Sequence, residues 1–198
     1  MARRTAEEAE QTKQAIAEAA KQLFIQHGYQ ATSMDQIRLA SATSKGSIYY
    51  HFKNKEKLFL YLLELNVMEW VTKCKEQFKT AATATEKLYI YGRISASDFN
   101  NPLLHASIEF SGTRGADPEV TAKVVELSKV SIPLLKEVVL EGIANQEFKP
   151  EDEDKITLML HIIFSGLGVL LFEDYTTEEI EKLHDKAIDL FLNGIRLT

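Results

Sequence analysis

The segment Ser33–Lys57 reads SMDQIRLASATSKGSIYYHFKNKEK and contains two closely spaced helix start signals. Ser33 and Gln36 have the spacing of a capping box, in which the two side chains bond to each other's backbone amides. Ser44 is a second N-cap residue, so the helix that begins after Ser33 must end near Ser41. Two short helices joined by a tight turn form a helix-turn-helix, whose second helix enters the major groove of DNA.

The second of these helices has the composition of a DNA-reading element. Ile48 and Phe52 lie four residues apart and can anchor the helix inward. Hydroxyl groups and amides at its start can bind phosphate oxygens, Lys45 can reach a guanine edge, and Gly46 permits close approach. The other side chains expected to project outward or sideways are Thr43, Ser44, Ser47, Tyr49 and Tyr50.

The composition is that of a soluble globular protein. The chain has 198 residues, of which 45% are hydrophobic and 26% charged, and a formal net charge of −6. Its single cysteine, Cys74, cannot form an internal disulfide, and the chain lacks the cysteine and histidine spacing of a zinc site, so no metal or cofactor is expected. The charged start is no signal peptide, and the longest apolar stretch contains polar residues and glycines. The sequence predicts a cytoplasmic protein that does not insert into membranes.

The charge is distributed unevenly along the chain. Residues 1–57 carry nine Lys and Arg residues and six acids, a net charge of +3. The remaining residues carry 14 basic and 23 acidic side chains, a net charge of −9. A basic head on an acidic body predicts that the head meets a polyanion, although chance variation could also produce so small an excess.

Helical periodicity runs through almost the whole chain, which predicts an all-α protein. Thr5–Glu8 fits a capping box for the first helix, and Gly28 is expected to end that helix. Later helices are expected to begin near Lys55, Thr83, Pro102, Pro118, Pro133, Asp152 and Thr176. The helix that begins near Asp152 is expected to reach Tyr175. The prediction is a helix-turn-helix DNA-binding domain over residues 1–53 and a larger helical ligand-binding and dimerisation domain over residues 54–198.

The central motif, Ser44-Lys-Gly-Ser-Ile-Tyr-Tyr-His-Phe52, resembles the DNA-binding head of the TetR family of bacterial repressors. Tyr29-Gln-Ala-Thr32-Ser33 before it and Lys53-Asn-Lys-Glu-Lys-Leu58 after it belong to the same resemblance. The resemblance implies phosphate contacts by Ser33 and Lys55. It also implies a DNA face made of Thr43, Ser44, Lys45, Gly46, Ser47, Tyr49, Tyr50 and His51.

One residue of the turn departs from the family pattern. Where the family often has glycine, this chain has Ala42. A left-handed backbone at an alanine costs about 1 kcal/mol relative to glycine.

Structural roles compete with DNA contact at three of these positions. Tyr49 and Tyr50 could pack the head against neighbouring helices, and for Tyr50 the two interpretations have equal weight. His51 could instead be a helix-end cation that bonds to backbone carbonyls.

The resemblance also implies a regulatory body that binds a small lipophilic effector. Aromatic side chains with a few polar partners suit such a ligand. The candidate effector-binding residues are Trp70, Tyr89, Tyr91, Asp98, Phe99, His105, Glu109, Phe110 and Phe164. Because aromatic residues at helical spacing also fill ordinary cores, core packing is the alternative for this set.

The last two helices carry apolar residues suited to a homodimer interface. These residues are Ile156, Leu160, Ile163, Leu167, Leu170 and Leu171, followed by Ile180, Leu183, Ile188, Leu190 and Phe191. Together they could form a four-helix bundle across a twofold axis, with an intrachain core as the alternative. Twofold symmetry would place two recognition helices about 34 Å apart on double-stranded palindromic operator DNA.

An enzyme and a protein-binding adaptor are the two alternatives to a repressor. The chain has no GxSxG, HExxH or phosphate-binding glycine loop, so an enzyme is not expected. A helical adaptor that binds another protein and no DNA would leave the surface between Ser44 and His51 without a purpose.

Overall fold

A computed structural model describes residues 5–111 and 118–195, which form ten α-helices and one 3₁₀ helix. No extended β-strand is present in these two ranges. The helices are α1 (Ala6–Ala31), α2 (Met34–Ala40), α3 (Lys45–His51), α4 (Lys55–Phe78), α5 (Ala84–Asp98), α6 (Pro102–Ser111), α7 (Pro118–Ser128), α8 (Ser131–Ala144), α9 (Glu153–Leu167), η1 (Gly168–Phe172, 3₁₀) and α10 (Thr177–Ile195). The all-α prediction is confirmed.

Local start signals fix the helix beginnings. The predicted capping boxes after Thr5 and Ser33 both form. The side-chain oxygens of Ser44 and Asp152 accept hydrogen bonds from the backbone three residues later, so these predicted starts are also confirmed. These bonds satisfy N–H groups that would otherwise have no partner at a helix start.

Two helix ends differ from the prediction. The first helix resumes for a few residues beyond Gly28, which itself has a non-helical backbone with φ of 79° and ψ of 171°. The penultimate helix was expected to reach Tyr175, but α9 ends at Leu167 and a short 3₁₀ helix follows. Glycines at 166 and 168 lower the helix propensity there, which favours the early end.

The helices form two compact units. The first contains the chain up to Asn66 together with residues 102–127. In its core, the rings of Phe24, Tyr29 and Phe59 lie 4.9–5.7 Å apart. The helices α1, α2, α3 and α6 contribute to this core, with α6 packed along α1.

The second unit contains residues 67–101 and the chain from Ser128 onward. Its helices pack mainly as the pairs α5 with α10 and α8 with α9. Its core includes the buried side chains of Leu88, Leu135 and Leu160. The predicted domain boundary after residue 53 is a division by function and stays a prediction, whereas the contact boundary lies inside α4.

The segment Glu153–Phe172 is long and apolar enough to cross a membrane by length and composition, with a mean hydropathy of 1.9. Only 22% of it is buried within the chain. A single segment of this kind is weak evidence for a membrane span. Several of its apolar side chains, among them Leu158, Ile162 and Val169, are exposed in the single chain.

The turn between α2 and α3 has a left-handed backbone at the alanine that stands where the family often has glycine. Ala42 has φ of 51°. Its N–H group donates to the Leu39 carbonyl at 3.1 Å, and the Thr43 N–H group donates to the Arg38 carbonyl at 3.1 Å. The hydrogen bonds of the turn therefore hold an alanine in a conformation that favours glycine.

We expect Ala42→Gly to raise the free energy of unfolding by about 1 kcal/mol, because it removes the left-handed penalty. Ala40→Gly is the matched control, since Ala40 is exposed at the end of α2 and its replacement should lower stability by about 1 kcal/mol. Urea unfolding monitored by circular dichroism measures both. Equal destabilisation by the two variants would contradict the strained turn.

Candidate DNA interface and effector site

Helix α3 lies on two buried anchors. Ile48 is fully buried and Phe52 is 4% exposed, both in the core of the first unit. The ring of Phe52 contacts the ring of Tyr61 at a centroid distance of 5.4 Å. The predicted inward face of this helix is therefore confirmed, and its other face points away from the core.

The opposite face of α3 is exposed and polar. Tyr50 is 80% exposed and Tyr49 is 45% exposed, so neither fills the core. Lys45 is exposed, and a Cβ atom placed on Gly46 would meet no heavy atom within 4 Å. Ser44 is exposed, whereas Thr43, Ser47 and His51 are partly buried at the edges of this face. The arrangement leaves a surface of hydroxyls, one ammonium group and two phenol rings open to a ligand.

Ser33 lies at the start of α2, where its side chain is occupied by the cap. Its hydroxyl accepts from the Gln36 amide at 3.3 Å and donates to the Gln36 side-chain oxygen at 2.8 Å. Its backbone N–H also donates to that Gln36 oxygen, at 2.7 Å, and the residue is exposed. The phosphate contact itself stays a prediction.

Lys55 lies at the start of α4 and bonds to the backbone between α1 and α2. Its ammonium group donates to the carbonyls of Tyr29 and Thr32 at 2.8 Å and of Gln30 at 3.3 Å. It also lies 4.3 Å from the centre of the Tyr29 ring. Because a lysine has three N–H donors, a phosphate contact would require one of these bonds to break. Burial lowers the pKa of Lys55, and the charge of Glu109 opposes that shift.

Three of the nine predicted effector residues belong to the first unit. Phe110 is buried there and its ring lies 4.9 Å from Tyr29 and 5.0 Å from Phe59. Glu109 accepts a hydrogen bond from the Gln30 amide at 3.2 Å, and His105 is exposed. The positions of Phe110 and Glu109 give both side chains a structural role in the first unit.

The other six predicted residues lie in the second unit. Tyr91 and Phe164 are buried with ring centres 4.5 Å apart, and Trp70 contacts Tyr91 edge-on at 5.2 Å. Tyr89 donates a short hydrogen bond to Asp189. The remaining two are Phe99, whose ring meets His184, and Asp98, which accepts from Asn101.

A polar group that the sequence analysis did not single out lies inside this aromatic cluster. His184 is 1% exposed, and its Nδ1 atom lies 2.8 Å from the Ile180 carbonyl oxygen. Its ring lies 5.9 Å from Phe99 and 6.1 Å from Phe164. Burial lowers the pKa of His184, which favours the neutral ring. Its four-residue spacing from Ile180 and Ile188 was the signal that places it on the inner face of α10.

Two surface depressions in the described part of the chain are bordered by charged side chains rather than by the aromatic cluster. One, of about 420 Å³, lies between α4 and α7 and is bordered by the ion pairs Lys57–Glu119 and Lys123–Glu64. The other, of about 230 Å³, is bordered by the ion pair Lys87–Glu141. Neither includes a predicted effector residue.

Comparison with known protein families agrees with this geometry. The family model for bacterial regulatory proteins of the TetR family matches residues 16–62, and the model for the C-terminal region of QacR-like proteins matches residues 66–196. The chain belongs to the TetR family. It is a transcriptional regulator with a helix-turn-helix DNA-binding domain, as the resemblance implied.

Individual relatives extend the likeness over nearly the whole TetR-family chain. The HTH-type transcriptional regulator QacR of Staphylococcus aureus is 33% identical over 92% of this chain and 97% of its own length. The fatty acid metabolism regulator protein of Bacillus subtilis is 28% identical over 91% of this chain and 93% of its own length. Both names describe regulators and neither describes an enzyme.

Solved structures show the same fold. A transcriptional regulator from Cytophaga hutchinsonii has a TM-score of 0.77 at 22% identity, covering 93% of this chain and 98% of its own. The fatty acid degradation regulator FadR from Bacillus halodurans has a TM-score of 0.70 at 23% identity and covers both chains fully. At such identities, these structures support the fold alone.

The bonds of Lys55 generate a stability prediction for this TetR-family head. Lys55→Met keeps most of the aliphatic stem but leaves three backbone carbonyls without their charged donor, so we expect unfolding free energy to fall by about 1–3 kcal/mol. Lys53→Met is the control, because Lys53 is exposed and should change stability by less than about 0.5 kcal/mol. Chemical denaturation of both variants measures the difference, and two equal values would contradict the role of Lys55.

Proposed function

We propose that the protein represses transcription as a homodimer that binds a palindromic operator and is released by a small lipophilic effector. The observation that carries the DNA-binding part is the exposed polar face of α3 on the buried anchors Ile48 and Phe52. A helix held in this way can enter a major groove while Ile48 and Phe52 keep their contacts with the core. With its DNA target, the protein would act in the cytoplasm.

The residues of α3 divide between the two kinds of DNA contact. We assign base recognition to Lys45, because an exposed ammonium at a helix start can reach guanine acceptors. The tyrosine rings of Tyr49 and Tyr50 can pack against thymine methyl groups or donate to phosphates. We assign phosphate contacts to the start of the helices, at Ser33, Thr43, Ser44 and Ser47, where hydroxyls and backbone amides meet the helix dipole. Gly46 permits close approach, and His51 lies at the edge of this face.

Fluorescence anisotropy with duplexes from the region upstream of the protein's own gene tests the proposal. We expect a duplex with an inverted repeat to bind at least 1,000-fold more tightly than a scrambled duplex, the lower range for specific regulators. Equal binding to both duplexes at physiological salt would contradict operator recognition.

The proposed base contact of Lys45 predicts a difference between its effects on operator binding and on non-specific DNA binding. We expect Lys45→Ala to weaken operator binding by about 1–3 kcal/mol while leaving the affinity for scrambled DNA nearly unchanged, because it removes a base contact. Lys53→Ala, an exposed lysine outside α3, should change both affinities by similar small amounts. Anisotropy titrations at two salt concentrations compare the variants. Equal losses on operator and scrambled DNA in Lys45→Ala would refute base recognition.

The exposed apolar side chains of α9 and η1 support a homodimer. Leu158, Met159, Ile162 and Val169 are 50–59% exposed, which is an unusual surface for a soluble monomer. On α10, Leu183 is 37% and Leu190 62% exposed. A second copy of the chain could cover these residues in an isologous interface.

The structure changes which residues can form that interface. Ile156, Leu160, Ile180 and Ile188 were predicted to face the partner, but they are at most 5% exposed within their own chain. That part of the prediction is wrong, since Ile156, Leu160 and Ile188 already lie in the core of the second unit and Ile180 is buried within the same chain. We therefore place the interface on the opposite face of α9 and α10, where Ile162 and Leu190 lie.

We expect Ile162→Asp to convert the dimer to a monomer, because the interface would bury an unpaired carboxylate. Leu140→Asp is the control, since Leu140 is similarly exposed on α8 outside the proposed interface. Sedimentation equilibrium distinguishes the 22.4 kDa chain from a species of twice that mass. A monomeric wild-type protein, or a dimer that persists in Ile162→Asp, would contradict this interface.

The aromatic cluster of the second unit supports a lipophilic effector. Trp70, Tyr91, Phe99 and Phe164 supply apolar surface, and the neutral ring of His184 supplies a polar contact without a buried charge. One relative over nearly the whole chain is named as a fatty acid metabolism regulator, which supports an apolar ligand for this chain. The effector would release DNA only if it binds the released state more tightly than the DNA-bound state.

A further inference from the structure

The backbone of residues 28–32 links α1 to the cap of α2, and two side chains from distant parts of the first unit bind it. Lys55 of α4 donates to three of its carbonyls. Glu109 of α6 accepts from one of its amides, that of Gln30. The positive ammonium group of Lys55 thus meets carbonyl oxygens, and the negative carboxylate of Glu109 meets an N–H group. Each charge faces the end of the peptide dipole that has the opposite sign.

The approach of Glu109 depends on Gly28. A Cβ atom at position 28 would lie 2.6 Å and 2.8 Å from the two carboxylate oxygens of Glu109. Gly28 also has φ of 79° and ψ of 171°, a region that is essentially restricted to glycine. The glycine thus shapes the turn and leaves room for the carboxylate beside it.

The position of Glu109 is fixed by the packing of α6. Leu103, Ala106 and Phe110 are 1–3% exposed and lie in the same core as α1. Their spacing of three and four residues places them on one face of α6, and Glu109 lies at the edge of that face. Because the helix is held by these contacts, the Glu109 carboxylate lies beside residues 28–32, although the side chain is exposed to solvent.

The bound segment leads directly into the DNA-binding motif. The Thr32 hydroxyl donates to the Gly28 carbonyl at 2.8 Å, and the next residue, Ser33, is the N-cap of α2. Any shift of residues 28–32 therefore moves the start of α2. Helix α3 follows α2 after a four-residue turn, residues 41–44, whose backbone is itself hydrogen-bonded. The orientation of the recognition helix depends on where this segment lies.

We propose that Glu109 is a positioning residue for operator binding, which holds the backbone at Gly28 and Gln30 so that α2 and α3 present the recognition face correctly. The inference rests on the DNA-binding function proposed above. It gives Glu109 a role in the head of the protein instead of the effector contact that the sequence predicts. Glu109 touches neither DNA nor α3 in this account and acts through the backbone.

Two substitutions separate charge from hydrogen bonding. Glu109→Gln keeps an acceptor for the Gln30 amide but removes the charge, whereas Glu109→Ala removes both. Glu10→Gln is the matched control, since Glu10 is an exposed acid on α1 that also changes the net charge by one. Circular dichroism and thermal unfolding establish that each variant is folded before binding is compared.

The first measurement needs no DNA. Hydrogen exchange of the Gln30 amide, followed by NMR in the full-length protein, reports directly on the bond from Glu109. We expect exchange to be about tenfold faster in Glu109→Ala, with Glu109→Gln intermediate and Glu10→Gln like wild type. Wild-type protection of Gln30 in Glu109→Ala would overturn the proposal.

The second measurement compares specific with non-specific DNA binding. Glu109→Ala should bind an operator duplex about tenfold more weakly and scrambled DNA as well as wild type, with the same dependence of affinity on salt, because no phosphate contact is lost. Glu109→Gln should recover part of the specific affinity. Removal of a negative charge would by itself strengthen DNA binding, so a weaker operator complex is informative.

Failure of the two proposals can be distinguished. If wild-type protein binds no duplex specifically, the proposed function fails, and the Gln30 exchange still decides whether Glu109 holds the segment. If wild type binds the operator and Glu109→Ala binds it equally well, or loses specific and non-specific affinity equally, the positioning role is wrong.

Discussion

The burial of Ile48 and Phe52 beneath α3 is the constraint on which the rest of the molecule depends. Complete burial of such side chains contributes about 1.5–3 kcal/mol each, and it fixes which face of a seven-residue helix is exposed. A helix this short is not stable in isolation. The polar surface of Lys45, Tyr49 and Tyr50 therefore exists as a defined surface only because the apolar face is anchored. The hydrogen bonds of Lys55 and Glu109 to the backbone of residues 28–32 also help to position this helix, since they hold the segment that leads into α2.

The second unit exposes an apolar surface, whereas the exposed face of α3 in the first unit is polar. The inner faces of α9 and α10 complete the core of their own chain, whereas Ile162 and Leu190 on their outer faces and Val169 on η1 are exposed. Exposed apolar area of this extent is removed from water most simply by a second copy of the chain. A twofold dimer would supply the paired heads that an inverted repeat requires, so the surface chemistry of α9 and α10 and the geometry of DNA recognition are connected.

The features predictable from the sequence are those with local causes. The caps at Ser33, Ser44 and Thr176 form because a side-chain oxygen and an amide three residues later are neighbours in any such helix. The family itself was visible in one motif, because the residues that anchor and expose α3 are close together in sequence.

The features that sequence reasoning missed have long-range causes. Glu109 and Phe110 share a helix with apolar residues, but nothing in their spacing reveals that the partner surface is α1, some 79 residues away. The α9 segment is apolar on nearly all sides, so periodicity could not distinguish the buried Leu160 from the exposed Ile162. Lys55 carries a charge that suits a phosphate as well as three carbonyls, and only the folded chain shows that the carbonyls are within reach.

Selection of bound sequences from a pool of random duplex DNA tests the central claim most directly, because it requires no knowledge of the natural operator. The account predicts that the wild-type protein enriches an inverted repeat whose half-sites are spaced for two recognition helices about 34 Å apart, or a multiple of that distance. Enrichment of no common sequence, or of an unpaired half-site by a stable dimer, would contradict it.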